Sequence, residues 1–228
     1  MDMNNPARGV LMFFKEILNP QAYLNLVYSM ASFPLGLFYF IFLVTGLALG
    51  VSLTIVWIGI PILLFVSLGS LAFGNFERFL VIHLLKENVP ALLMPAKDQD
   101  DLLSPVKENL TNPVLLKSPL YLFLKFPLGL AAFIILTTLI SLTLAFLTLP
   151  FTYEHVEIIG PGIFFGADLP DWHINGMGDA LIGTLIGLFL WPVTLHISNA
   201  LAWVQGKFAR LMLSSEPMVE TNVLPELI

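Results

Sequence analysis

The chain has no cysteine. Disulfides, thiolate nucleophiles and Cys-ligated metals are therefore excluded. Charge is also scarce. Charged residues make up 11% of the chain against 57% hydrophobic residues, and the mean hydropathy is +0.86. A soluble domain carries about 25% charged residues, so this composition is that of a membrane protein. Between Ile17 and Phe76 there is no Asp, Glu, Lys, Arg or His at all. The segment Phe151–Gly178 has no Lys or Arg. Neither His-x-x-Glu-His, Gly-x-Ser-x-Gly nor a phosphate-cradling loop occurs, and the expectation is a protein that is not an enzyme and carries no cofactor.

Long apolar runs are what remain. About 20 helical residues cross a bilayer core, so the uncharged stretch from Ile17 holds two spans. They are expected near Pro34–Ile55 and Pro61–Asn75, divided by Trp57-Ile58-Gly59-Ile60-Pro61. Glu77-Arg78 should return the second span to water. A third span is expected over Pro127–Leu149 and a fourth over Ala180–Val204. The fold class is thus an all-α integral membrane protein with four transmembrane helices.

The ten Lys and Arg residues fall before the first span, between the second and third, or after the fourth. The positive-inside rule then places both termini and the middle segment in the cytoplasm and Phe151–Gly178 outside. The expected location is the cell's inner membrane, crossed four times.

Phe33-Pro34-Leu35-Gly36-Leu37 recurs letter for letter as Phe126-Pro127-Leu128-Gly129-Leu130. At that offset of 93, residues 19–55 match with 13 identities in 37 ungapped positions. Asn19-Pro20 falls on Asn112-Pro113 and Tyr28 on Tyr121. The pattern predicts a tandem, parallel duplication of a two-span unit. Residues 1–18 form an N-terminal segment, 19–85 the first repeat, 86–111 a cytoplasmic linker, 112–213 the second repeat and 214–228 an acidic tail. In each repeat an Asn-Pro cap should open a short interfacial helix. Pro34 with Gly36, and Pro127 with Gly129, should then hinge it into the membrane.

Gly46-x-x-x-Gly50 and Gly183-x-x-x-Gly187 would permit close helix approach, within the chain or across a homodimer. His196 is the ionisable residue set well inside a span, as a proton-sensing group, a ligand contact or a neutral residue hydrogen-bonded to a neighbouring helix. The outer loop, residues 151–178, reads as a small β-hairpin of Tyr153–Ile159 and Ile163–Gly166 turning at Gly160-Pro161-Gly162. It carries His155, Glu157, Asp168, Asp171, Trp172 and His173, candidates for contact with a ligand or partner. Their spacing matches no defined metal motif, and no metal is assigned.

Several of these features resemble one family. Tyr28 precedes Phe33-Pro34-Leu35-Gly36, followed by Phe38-Tyr39-Phe40 and Thr45-Gly46-Leu47. The Gly59-Ile60-Pro61 turn and Glu77-Arg78 come next, then Pro127-Leu128-Gly129 and Pro150-Phe151-Thr152-Tyr153. Over residues 19–213 this arrangement resembles the "putative sensor" domain of bacterial, especially actinobacterial, histidine kinases, which also occurs in free-standing membrane proteins. The resemblance implies a four-span module of signal reception. No kinase sequence follows here, so the output is expected on another membrane or cytoplasmic chain. The competing expectation is an accessory structural subunit of a larger membrane complex. Membrane lipids are expected partners under either reading; nucleic acid is not.

Overall fold

The computed structural model describes residues 13–87, 89, 113–155, 158–159, 172–173 and 176–213. Four long helices dominate them: α1 (Pro20–Ser52), α2 (Gly59–Leu80), α3 (Pro113–Thr152) and α4 (Met177–Leu213). All four are long and apolar enough to cross a membrane. At 1.5 Å per residue, the 33 residues of α1 span about 50 Å and the 40 of α3 about 60 Å. A hydrocarbon core is only about 30 Å thick, so these helices tilt or project beyond it.

Local chemistry explains the boundaries. Asn19 caps α1, its side-chain oxygen accepting from the Gln21 amide at 3.1 Å, with Pro20 in the first helical position, where no amide proton is needed. α1 tightens into a 3₁₀ turn at Leu53–Val56 and stops at Trp57, whose φ of 63° is left-handed. Trp57 is exposed, as suits an indole at the headgroup level. Pro61 lies in the first turn of α2, again without a helix partner to lose. α2 ends in a π-helical turn, Val81–Leu85. Along the helices, Thr54, Ser67, Ser70, Thr138, Thr148, Thr184 and Thr194 donate to carbonyls four residues back. These hydroxyls are thus satisfied within their own helices, as hydrocarbon surroundings demand.

Three expectations are corrected. The interfacial helices are not separate elements, because α1 runs unbroken through Pro34 and α3 through Pro127. In the outer loop, Tyr153–His155 is a 3₁₀ turn rather than strand. The strand pairing that is described joins β1 (Ile158–Ile159) to β2 (Trp172–His173), with Ile158 opposite His173 and Ile159 opposite Trp172. The expected partner strand and its Gly-Pro-Gly turn lie outside the described residues, as do most of the linker and the acidic tail.

Contacts divide the chain into two compact units. One comprises Met1–Met30 with Ala131–Leu201, the other Ala31–Leu130 with Ala202–Ile228. In the first unit, α3 and α4 pack through Leu149, Ala180 and Phe146, and a Cβ on Gly187 would lie 2.9 Å from the Leu147 amide nitrogen. In the second, α1 and α2 pack where Gly46 faces Val66 and Gly50 faces Leu63. Phe38, Tyr39, Phe42 and Phe73 interlock beside them.

The second unit also contains both copies of Phe-Pro-Leu-Gly-Leu, and the copies touch. Gly36 lies against the backbone of Phe126, and Gly129 lies against the backbone of Ser32 and Phe33. The contact is reciprocal: each copy's glycine meets the other copy's phenylalanine. Phe40 stacks on Phe126 and lies against Phe123. The crossing therefore runs antiparallel, residue 33 near 129 and residue 40 near 123.

Burial follows the same offset. Tyr28, Ser29, Ser32, Gly36, Tyr39 and Leu43 are buried, and so are Tyr121, Leu122, Lys125, Gly129, Ala132 and Leu136, each 93 residues on. The second helices of the halves match too, at an offset of 132. Val66, Ser70, Gly74, Glu77 and Val81 are buried, as are Ser198, Ala202, Gly206, Ala209 and Leu213. Gly74-x-Phe76-x-Arg78 is echoed as Gly206-x-Phe208-x-Arg210. The widening of the offset means that the second hairpin is longer by the difference.

Candidate functional site

Burial singles out one cluster. Glu77 on α2 and Lys125 on α3 form an ion pair at 2.9 Å, their side chains 0% and 2% exposed. Tyr121, one turn before Lys125 on the same face, donates its hydroxyl to Glu77 at 3.3 Å. The Lys125 ammonium also lies 6.0 Å from the Tyr121 ring centre, within reach of a cation–π attraction. Phe208 of α4 stacks on that ring at 5.3 Å. Just beyond, Gly74 faces Ser118 and Leu213.

This overturns the expectation that Glu77 returns the second span to water. Lys125, placed by its sequence among the solvated cytoplasmic charges, is buried as well. Arg78, the next residue, does leave the packed face and donates to the Val89 carbonyl at 2.9 Å. A usable signal was in the sequence. Ser70, Gly74 and Glu77 recur at helical spacing, and a carboxylate in line with small residues lies on the packed face.

Charges within membrane helices are costly and usually belong to function. A buried ion pair is also weak evidence for stability, since desolvation offsets much of the attraction. The offsets of 93 and 132 supply a comparison within the molecule. At the equivalent crossing of α1 with α4, Ser32 stands in the place of Lys125 and Ala209 in that of Glu77. There Ser32 donates to Gln205, and both are buried. The same crossing is thus built once with charges and once without.

A second polar cluster lies in the other unit. Glu16 accepts from Asn199 at 2.6 Å and from Asn19 at 3.0 Å. Asn25 donates to Asn199 at 2.8 Å, and Gln21 to Asn25 at 2.9 Å. Phe13 stacks on His196 at 5.2 Å and lies beside Phe189. The segment ahead of α1 is thereby fastened to the middle of α4. His196 is exposed rather than buried, and its described partner is the Phe13 ring.

The remaining candidates are distributed. Gly46, Gly50 and Gly187 face neighbouring helices of the same chain, and Gly183 is buried on α4. Pro34, Gly36, Pro127 and Gly129 sit at the reciprocal crossing. His155 lies in the 3₁₀ turn, while Trp172 and His173 form β2. Glu157, Asp168 and Asp171 lie outside the described residues.

No curated protein and no solved structure matches the chain. The family described as "Putative sensor" matches residues 28–213, a range that takes in α2, α3, α4, most of α1 and both Phe-Pro-Leu-Gly-Leu copies. This four-helix membrane chain belongs to that family.

Proposed function

We propose that the protein is a non-enzymatic sensory or regulatory module of the membrane, acting through a separate partner chain. The observation that carries this reading is the buried Glu77–Lys125 pair, at a crossing whose twin is assembled from Ser32 and Gln205. A sensor must favour one of two arrangements according to what binds it. A desolvated charge pair suits that task, being stable when closed and strongly disfavoured when half open.

Tandem duplication of a two-span unit is part of the same reading. The coincident burial at offsets of 93 and 132 and the reciprocal glycine contact support it. The distribution of Lys and Arg supports an inner-membrane location with both termini cytoplasmic.

The test is purification from native membranes in a mild detergent, with mass spectrometry of bound chains, for the natural protein and for Glu77→Ala/Lys125→Ser. A kinase, transcription factor or other signalling chain is expected, held differently by the two forms. A large enzyme or transport complex at fixed stoichiometry, held equally by both, would make the protein an accessory structural subunit instead.

A further inference from the structure

The unit that holds the α3–α4 hairpin contains a cavity of about 130 Å³. Tyr23 and Leu26 of α1, Thr143 and Leu144 of α3, and Trp191 and Thr194 of α4 line it. Its hydroxyls are engaged. Thr143 and Thr194 share a hydrogen bond at 3.2 Å, Thr194 donates to the Leu190 carbonyl, and Tyr23 donates to the Ile17 carbonyl. These groups leave no call for a polar occupant. Apolar cavities of about 150 Å³ stay dry and accept benzene-sized guests.

The repeat shows how the cavity arises. Thr143 is the equivalent of Gly50 at the offset of 93, and Trp191 the equivalent of Gly59 at 132. In the first hairpin those glycines close the space. A Cβ on Gly59 would collide with the Gly50 carbonyl, and one on Gly50 with the Leu63 side chain. In the second hairpin a threonine and an indole replace them. The cavity thus lies mostly in the half that also carries the longer outer loop, with Tyr23 and Leu26 of α1 completing its wall.

Leu144 at its rim is 52% exposed, on a helix long and apolar enough to span the bilayer. The mouth therefore opens to hydrocarbon. We propose that this cavity is a binding site for the acyl chain of a membrane lipid, and that the second repeat is the receiving half of the module. The assignment rests on the sensory reading only for what the occupant signals; occupancy is tested separately from partner binding.

The experiment uses the full chain with Trp57, Trp172 and Trp203 replaced by Phe, leaving Trp191 as the sole fluorophore. A second form keeps Trp203 alone, which is 64% exposed and reports bulk lipid. Both are placed in phosphatidylcholine vesicles with brominated acyl chains. Trp191, although less exposed, should be quenched about as strongly as Trp203. Thr143→Phe, which fills the cavity, should at least halve the quenching of Trp191 and leave that of Trp203 unchanged. Thr143→Leu serves if the larger residue prevents folding, checked by thermal unfolding. Quenching of Trp191 that is absent, or insensitive to both fillings, would overturn the proposal. If brominated lipid fails to quench while benzene raises the melting temperature of the unfilled form alone, the guest is a small free molecule and the lipid assignment is overturned.

Discussion

At the level of single residues, the Glu77–Lys125 pair makes the sharpest prediction, because the chain contains its own control. Removing one partner leaves an uncompensated charge among apolar helices. Glu77→Ala or Lys125→Ala alone should therefore destabilise the protein by about 3–5 kcal/mol. Glu77→Ala/Lys125→Ser places at this crossing the residues of its twin, Ala209 and Ser32. The double variant should regain most of the loss, since the α1–α4 crossing is closed without any charge. Reversible denaturation in detergent would measure all three. Equal damage from single and double variants would mean that the pair is structural. The positions of these charges were read correctly from the sequence, but their surroundings were not. A Lys just before an apolar run and a Glu just after one look like interfacial anchors, and only the packing of Gly74 on Ser118 shows otherwise.

At the level of elements, what the sequence conveyed well was hydrophobic length. Four apolar runs imply four spans, the second, Pro61–Asn75, being short, and among the described residues four helices are long and apolar enough to cross a membrane. Proline was the less reliable guide. Pro34 and Pro127 suggested breaks, yet each falls within a continuous helix, where its role is met by packing against the other copy. The second-helix repeat was also visible in principle, as Gly-x-Phe-x-Arg at residues 74–78 and 206–210, but the longer outer loop displaces it from the offset of 93. The fastening of residues 13–19 to α4 was not legible, because it depends on amides meeting from distant parts of the chain. Asn199→Ala removes a 2.6 Å donor from Glu16 and the acceptor of Asn25. It should release this segment without unfolding the helices. A cysteine at Phe14 should then react with a maleimide severalfold faster in the Asn199→Ala form, at unchanged helical content. An unchanged labelling rate would show that the Phe13–His196 stack holds the segment by itself.

For the whole molecule the decisive quantity is sidedness, where two arguments pull against each other. By the positive-inside rule the Lys and Arg residues would put both termini and the middle linker on one side, and each half would then enter and leave by that side. The antiparallel crossing of α1 and α3 at Gly36 and Gly129 would by itself suggest halves that enter from opposite sides. The charge of the linker supports the proposed sidedness. Residues 86–111 include Lys86, Glu87, Lys97, Asp98, Asp100, Asp101, Lys107 and Glu108, and no segment so charged crosses a hydrocarbon core at tolerable cost. Two helices entering from one side can still cross in the antiparallel sense if both are steeply tilted, and helices of about 50 and 60 Å are long enough to do so. Because the chain has no cysteine, Ser104→Cys and Asp168→Cys each introduce a unique thiol. In intact cells an impermeant maleimide should label the second and spare the first, and permeabilisation should make Ser104→Cys reactive. Labelling of both from the same side would mean that α3 does not cross the membrane between them, and the four-span topology would be overturned.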